Sequence, residues 1–335
     1  MPPFRLGGLP VLEPPDYDVV VVGGGPAGLA AALVLARSRR TVLVVDTGEP
    51  RNGSAQHVHG YLGLDGVPPA DLARRARAEV VAYGARVAED RAERLLPGAD
   101  RITVELTAAA PVRGRRVVVA TGLRDELPDV PGLAARWGRD VLHCPYCHGF
   151  ETRDRAVVVL GSGTDAAHRA FTMAQWTDQV TLVAHGPDGG GPADDALPLD
   201  ALPLDALRAV GVTVAPGPAT GLAVTDDRLV GVRTPGGVVG CDAVLVQPRV
   251  VAHDGLLVAA GAEVRAGPFG QVVLTGDGGV TAVPGVWATG NVCEPQATVP
   301  TAAAAGYRTG VAVDQDLVAE DVRLATERGP RPARH

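Results

Sequence analysis

The sequence predicts an α/β fold made of two Rossmann-like, three-layer units. Three observations carry that prediction. An apolar β-branched run leads through a glycine turn into an Ala/Leu-rich helix and a second apolar run ending on an acid. The same design returns about 140 residues later. Hydrophobic residues are 46% and charged residues 21% of 335, ordinary globular usage for a chain of two-domain length.

The first unit opens with the strand Asp18–Val22, short and apolar as buried parallel strands are. Gly23-Gly-Gly25-Pro26-Ala27-Gly28 follows, then a helix over Leu29–Arg37 and a strand over Thr41–Val45 that ends on Asp46. Glycines let backbone N–H groups and a helix N-terminus reach a pyrophosphate, where a Cβ would block the approach. Asp46 stands where a carboxylate accepts hydrogen bonds from a ribose diol. A loop rich in Gly, Pro and His covers 47–69, a helix is expected over Asp71–Tyr83, and a β-meander over Ala85–Arg116. The buried strand Val117–Ala120 closes on Thr121-Gly122.

The second unit runs from the strand Ala156–Leu160 through Gly161-Ser-Gly163-Thr-Asp-Ala166 and a helix over Ala167–Trp176 to the strand Val180–Ala184. It ends on His185 instead of an acid, and the following Gly186–Asp195 holds no Arg for a 2′-phosphate. The fold is expected to persist here without NAD(P)H binding. The tandem Leu197–Ala201/Leu202–Ala206 reads as an irregular surface excursion. Gly285–Asn291 reads as a strand into a turn, and Thr301–Leu317 as an Ala-rich helix.

All 31 basic residues are Arg, and the net charge is −7, which argues against nucleic acid or an anionic membrane as partner. No stretch approaches the apolar length of a membrane span, and Met1–Pro15 lacks the apolar core of a signal peptide. A cytoplasmic protein is expected, and in that compartment a Cys-x-x-Cys pair is more often reactive than structural.

That pair lies in His143-Cys144-Pro-Tyr-Cys147-His148. A disulfide-exchange site needs one attacking and one resolving thiol, and the spacing offers both. Other readings stand beside it: a zinc site with the flanking histidines, a c-type haem attachment, or an inert pair. Cys241 and Cys293 are isolated and are read as small buried apolar residues, so no metal site is expected. His57 and His59 share one loop, where solvation or cofactor packing is at least as natural as proton transfer.

Gly23–Gly28, Asp46, Ala120-Thr-Gly122, Cys144–Cys147, Gly161–Ala166 and Gly290-Asn291 together resemble the low-molecular-weight thioredoxin reductase family of flavoproteins, in the family's order. The resemblance implies a discontinuous FAD domain over 1–123 and 249–335, an inserted domain over 124–248, and a homodimer. It implies FAD contacts from Gly23, Gly25, Pro26, Ala27, Gly28, Asp46, Arg51, Asn52, His59, Ala120, Gly290, Asn291, Gln296, Ala297 and Thr298. Three departures stand out: His148 replaces an acid, His185-Gly-Pro-Asp replaces a basic cluster, and Gly290-Asn291 replaces Gly-Asp. With Cys144-Pro-Tyr-Cys-His-Gly-Phe-Glu151, Gln175-Trp-Thr-Asp178 and Arg51-Asn52, they resemble FAD-dependent dithiol oxidases that close disulfides in natural products such as gliotoxin and holomycin. In that branch Cys144 and Cys147 would exchange with a small dithiol, His148 would carry protons, and O2 would take the electrons as H2O2. A NAD(P)H-dependent reductase of thioredoxin or a small disulfide, and a redox-sensing module without turnover, are the alternatives.

Overall fold

The computed structural model describes residues 16–186, 203–215, 217–267 and 270–328. The first sheet grows from the opening unit. β1 (Asp16–Val22), α1 (Pro26–Arg37) and β2 (Val42–Asp46) form a parallel βαβ crossover, followed by α2 (Pro69–Ala82) and β3 (Arg86–Glu89). β4 (Ala92–Pro97), β5 (Ile102–Leu106) and β6 (Val112–Val119) then form an antiparallel meander. The expected meander thus begins one strand later than the sequence suggests, because β3 pairs in parallel with β2. Strand order is β3-β2-β1-β6-β5-β4. Val19 to Val22 and Val117 to Val119 are buried on both sides, as a covered parallel sheet demands.

β7 (Leu123–Glu126) leaves this sheet towards α3 (Leu133–Arg136), β8 (Val141–Leu142) and α4 (Pro145–His148). The second unit, β9 (Val157–Gly161), α5 (Gly163–Met173) and β10 (Val180–Ala184), is followed by α6 (Leu204–Ala209) and β11 (Thr213–Ala215). Of the Leu-Pro-Leu-Asp-Ala tandem, the end of the second copy lies in α6; residues 187–202 fall outside the described residues. β12 (Gly221–Thr225), β13 (Arg228–Thr234) and β14 (Gly237–Gly240) form a small antiparallel sheet before β15 (Ala243–Val246). The order β11-β10-β9-β15-β8 is parallel throughout.

The chain returns along β16 (Arg249–Ala252), which pairs antiparallel with β7. The two strands form a ribbon between the sheets. After α7 (Gly255–Ala259) and the hairpin β17 (Val264–Gly267)/β18 (Gly270–Val273), β19 (Val286–Ala288) adds to β6 in the first sheet. α8 (Val299–Arg328) closes the chain and is longer at both ends than the expected Thr301–Leu317. Ion pairs explain its C-terminal extension. Arg40 binds Asp314 and Asp321, Arg115 binds Asp18, Glu320 and Asp321, and Arg116 binds Asp316 and Glu320, all within 3.3 Å. No helix among the described residues is long and apolar enough to cross a membrane.

α8 packs on α1 with almost no side chain between them. A Cβ on Gly306 would enter the Ala27 carbonyl, and one on Gly310 would meet the Ala31 carbonyl oxygen at 2.8 Å. The two helices together cover the apolar face made by Val19, Val21, Val44 and Val118, where Leu29, Leu35, Val313 and Leu317 are buried. Gly306→Ala is therefore expected to lower stability by at least about 1–3 kcal/mol through overpacking. A urea midpoint unchanged from wild type would contradict that packing.

Candidate active site and cofactor cradle

Two groups of residues converge at separate places. At the first, Gly23 has φ +107°, and a Cβ there would collide with the Ala120 carbonyl. The Gly23 N–H donates to Val45 O at 2.8 Å, and the Ala120 N–H to Val22 O at 2.7 Å. Gly28 abuts the Gly23 carbonyl and Ala120 Cβ. Pro26 occupies the first turn of α1, where its missing N–H costs nothing. A Cβ on Gly25, in contrast, would meet no protein atom within 4 Å. Glycine is thus spent at Gly23 and Gly28 on packing and at Gly25 on open space, the form of a phosphate cradle at a helix N-terminus.

The chain's C-terminal segment completes this cradle. Ala27, Ala120 and Ala302 share a small buried cluster with Ala297 against it. Gly290, at φ +74°, faces Ala27 Cβ at 2.7 Å from where its own Cβ would be. Asn291 Nδ2 donates to the carbonyls of Glu294 (3.0 Å), Pro295 (3.2 Å) and Ala297 (2.9 Å). Asn291 therefore shapes the turn that carries Gln296, which is exposed, and Thr298, whose carbonyl accepts the Ala302 N–H at 2.8 Å and starts α8. Asp46 Oδ1 accepts the Gly24 N–H at 2.9 Å, and its other oxygen is ion-paired with Arg77 of α2. Arg77 was not singled out from the sequence; the only signal was the basic run Arg74, Arg75, Arg77.

At the second place, Cys144 and Cys147 form a disulfide with Cα atoms 5.2 Å apart. Cys144 is the N-cap of α4, and the Cys147 N–H lies 3.2 Å from both Cys144 Sγ and Cys144 O. Pro145 at the first helical position fits this tight turn. The turn is braced from behind, since Gly149 is buried against the Trp176 indole and its N–H donates to Pro145 O at 2.6 Å. Tyr146 stands edge-on to Trp176, with ring centroids 6.1 Å apart. Tyr146 and Phe150 are 77% and 62% exposed, so an apolar surface borders the disulfide.

The loop after β2 lies against this cysteine segment. Arg51 makes a two-pronged ion pair with Asp125 of β7 at 2.8 and 2.7 Å. His59 Nε2 lies 3.6 Å from Glu151 Oε1. A Cβ on Gly138 would collide with the Ser54 carbonyl. Arg51 and His59 thus face the disulfide's surroundings, with Asn52 half-buried between them, its carbonyl accepting the Ala55 N–H at 3.0 Å.

Burial lowers the pKa of His148; Glu151 pulls it up and His59 pushes it down. The imidazole is accordingly neutral at pH 7 and able to accept a proton. Burial, with the charges of Arg51 and Arg169, holds His143 down at about 4 against the pull of Asp125. His143 therefore stays neutral and is no base near neutral pH. Arg169 of α5 and Glu151 are further site groups that sequence reading did not assign. Burial pushes the thiols of Cys241 and Cys293 up to about 12, which makes them poor nucleophiles. Among the described residues, no group of three or more His, Cys, Asp or Glu is placed to hold a metal ion.

A family model described as pyridine nucleotide-disulphide oxidoreductase matches residues 17–308. The chain belongs to the pyridine nucleotide-disulphide oxidoreductase family. Within this family it is thioredoxin reductase-like. Thioredoxin reductase tcpT of Claviceps purpurea is 31% identical over 319 residues, covering 90% of this chain and 95% of that protein. Thioredoxin reductase sirT of Leptosphaeria maculans is 28% identical over 330 residues, covering 92% and 97%. Among solved structures, HlmI is 44% identical with a TM-score of 0.84 over 96% of this chain and 98% of that one. An oxidoreductase from Agrobacterium tumefaciens is 30% identical with a TM-score of 0.81 over 90% and 99%. A pyridine nucleotide-disulphide oxidoreductase with this fold implies a bound flavin, and the cradle at Gly25 fits one.

The buried imidazoles set an acid limit on stability. Burial lowers the pKa values of His143, His148, His185 and His253 in the fold, so on acidification the unfolded chain takes up protons first. Their stabilisation is full above about pH 6.5 and is lost as pH falls towards 4, with His143 alone worth on the order of 2–3 kcal/mol. A urea midpoint that stays flat from about pH 7.5 to 5 would refute this account.

Proposed function

We propose that this oxidoreductase is an FAD-dependent dithiol oxidase that closes an intramolecular disulfide in a small dithiol, with O2 as acceptor. The carrying observation is a half-exposed Cys144–Cys147 disulfide beside a neutral, half-buried His148. A substrate thiolate attacks Cys144 Sγ at the N-cap of α4, and Cys147 leaves as a thiolate. The second substrate thiol then displaces Cys144, releasing the cyclic disulfide. His148 takes a proton from each attacking thiol and returns it to the departing cysteine. FAD would be held by Gly23, Gly25, Pro26, Ala27, Gly28, Asp46, Ala120, Gly290, Asn291 and Ala297, and would supply a two-electron acceptor that O2 regenerates, yielding H2O2.

The second unit supports an oxidase over a NAD(P)H-dependent reductase. His185 directly follows β10 as Asp46 ends β2, but it is 3% exposed and neither ring nitrogen has a hydrogen-bond partner among the described residues. Burial holds it neutral, so it offers no charge to a nucleotide phosphate. The retained parallel order β11-β10-β9-β15-β8 with its Gly161/Gly163 turn favours the reductase. The resemblance also implies a homodimer with the inserted unit spanning 124–248, while the sequence's charge and lack of a spanning stretch support a cytoplasmic protein whose partners are the small dithiol and O2, not nucleic acid or membrane.

Anaerobic stopped-flow absorbance separates the two readings. A simple dithiol should bleach the flavin band and NADPH should not, and Cys147→Ser should abolish the bleaching. Rapid bleaching by NADPH would establish the reductase instead. Gly25→Ala should leave the apoprotein's melting temperature unchanged, because its Cβ meets no protein atom, yet weaken FAD binding tenfold or more by filling the cradle. Equal FAD retention by flavin fluorescence would place the cofactor elsewhere.

A further inference from the structure

Oxidation of a dithiol by this disulfide is a balanced exchange. The Cys144–Cys147 bond breaks, a substrate S–S bond forms, and two protons pass from the substrate thiols to the two cysteines. The carrier must therefore release each proton as readily as it accepts it, which requires a proton affinity close to that of the medium. Burial alone would make His148 a weak acceptor.

A cluster of titratable groups runs from His148 to solvent. Glu151 follows His148 by three residues across the turn that Gly149 and Trp176 brace. Its Oε1 lies 3.6 Å from His59 Nε2, and His59 Nδ1 lies 3.4 Å from Asp65 Oδ2. The Gly60 N–H donates to Asp65 Oδ1 at 2.7 Å and fixes that carboxylate. His59, 18% exposed, sits between two more exposed carboxylates, Glu151 at 42% and Asp65 at 65%. Glu151 raises and His59 lowers the proton affinity of His148, and His143, which His148 in turn affects, stays neutral. The two groups act in opposite senses, and His59 is seated on the carboxylate that opposes it.

We propose that Glu151 and His59 are positioning residues that tune His148 as proton carrier for the Cys144–Cys147 pair, Glu151 by its negative charge and His59, held between Glu151 and Asp65, by offsetting that charge. The proposal rests on the dithiol-oxidase reading of the same site.

The test compares wild type, Glu151→Gln, Glu151→Asp and His59→Gln as FAD-loaded enzymes. Flavin bleaching by dithiothreitol is followed anaerobically across the acid and neutral range, and the His148 ring titration is followed by NMR with His148→Asn as the assignment control. Glu151→Gln should move the His148 titration and the acid limb of the rate to lower pH by roughly half a unit or more. Glu151→Asp should restore most of the shift, and His59→Gln should move both to higher pH. Shifts of one sign in both variants, or slower rates with an unmoved titration, would overturn the proposal. Wild-type enzyme that dithiothreitol does not bleach would defeat the oxidase reading, and the NMR titration would still decide whether these residues tune His148.

Discussion

The close approach of α8 to α1 is the constraint on which the rest depends. Two helices from opposite ends of the chain meet where Gly306 faces the Ala27 carbonyl and Gly310 the Ala31 carbonyl. Any side chain at those glycines would hold the helices apart. Their contact carries Gly290, Asn291 and Ala297 to the glycine turn that opens α1, so the cradle is assembled from segments more than 260 residues apart in sequence. The arginine–carboxylate network around Arg40, Arg115 and Arg116 extends the same junction. These pairs are partly buried, so they are screened less than surface pairs and add direction to the packing.

The two βαβ units share a backbone plan and have different chemistry. At the end of β2, Asp46 is fixed by the Gly24 N–H and Arg77 and lies beside an open cradle. Just past β10, His185 is closed off from solvent with no polar partner among the described residues. An unpaired buried imidazole is tolerated by staying neutral, at a cost that a ribose-binding acid in the same place would not bear. The second sheet instead carries α4 at its edge through β8, and with it the disulfide.

Around the disulfide, the loop between β2 and α2 joins the two halves of the site. Arg51 on Asp125, Ser54 against Gly138 and His59 near Glu151 are three separate links across the same boundary. The resemblance ties Arg51, Asn52 and His59 to the cofactor, and the fold sets Arg51 and His59 against the residues around the cysteines. Loops carry such roles because a rigid scaffold can present them to two partners at once.

The glycine turns, the buried parallel strands and the Cys-x-x-Cys pair were legible in the sequence because each depends on local spacing: strand length, turn geometry, and thiols close enough to bond. Asp46 was legible for the same reason, since a βαβ crossover fixes where its second strand ends. Arg77 and Asp125 were not, because each pairs with a side chain from a distant element, and Glu151, though part of the Cys144–Glu151 run, meets His59 only once the fold brings that loop to it. The extra turns of α8 were hidden too, since they depend on arginines of α1's end and of β6. The sequence by itself determined which segments form strands, turns and helices, and that two cysteines could exchange with a thiol. Only the tertiary structure decided which charges face which imidazole, because those pairings follow from how separate elements pack and not from the order of residues along the chain.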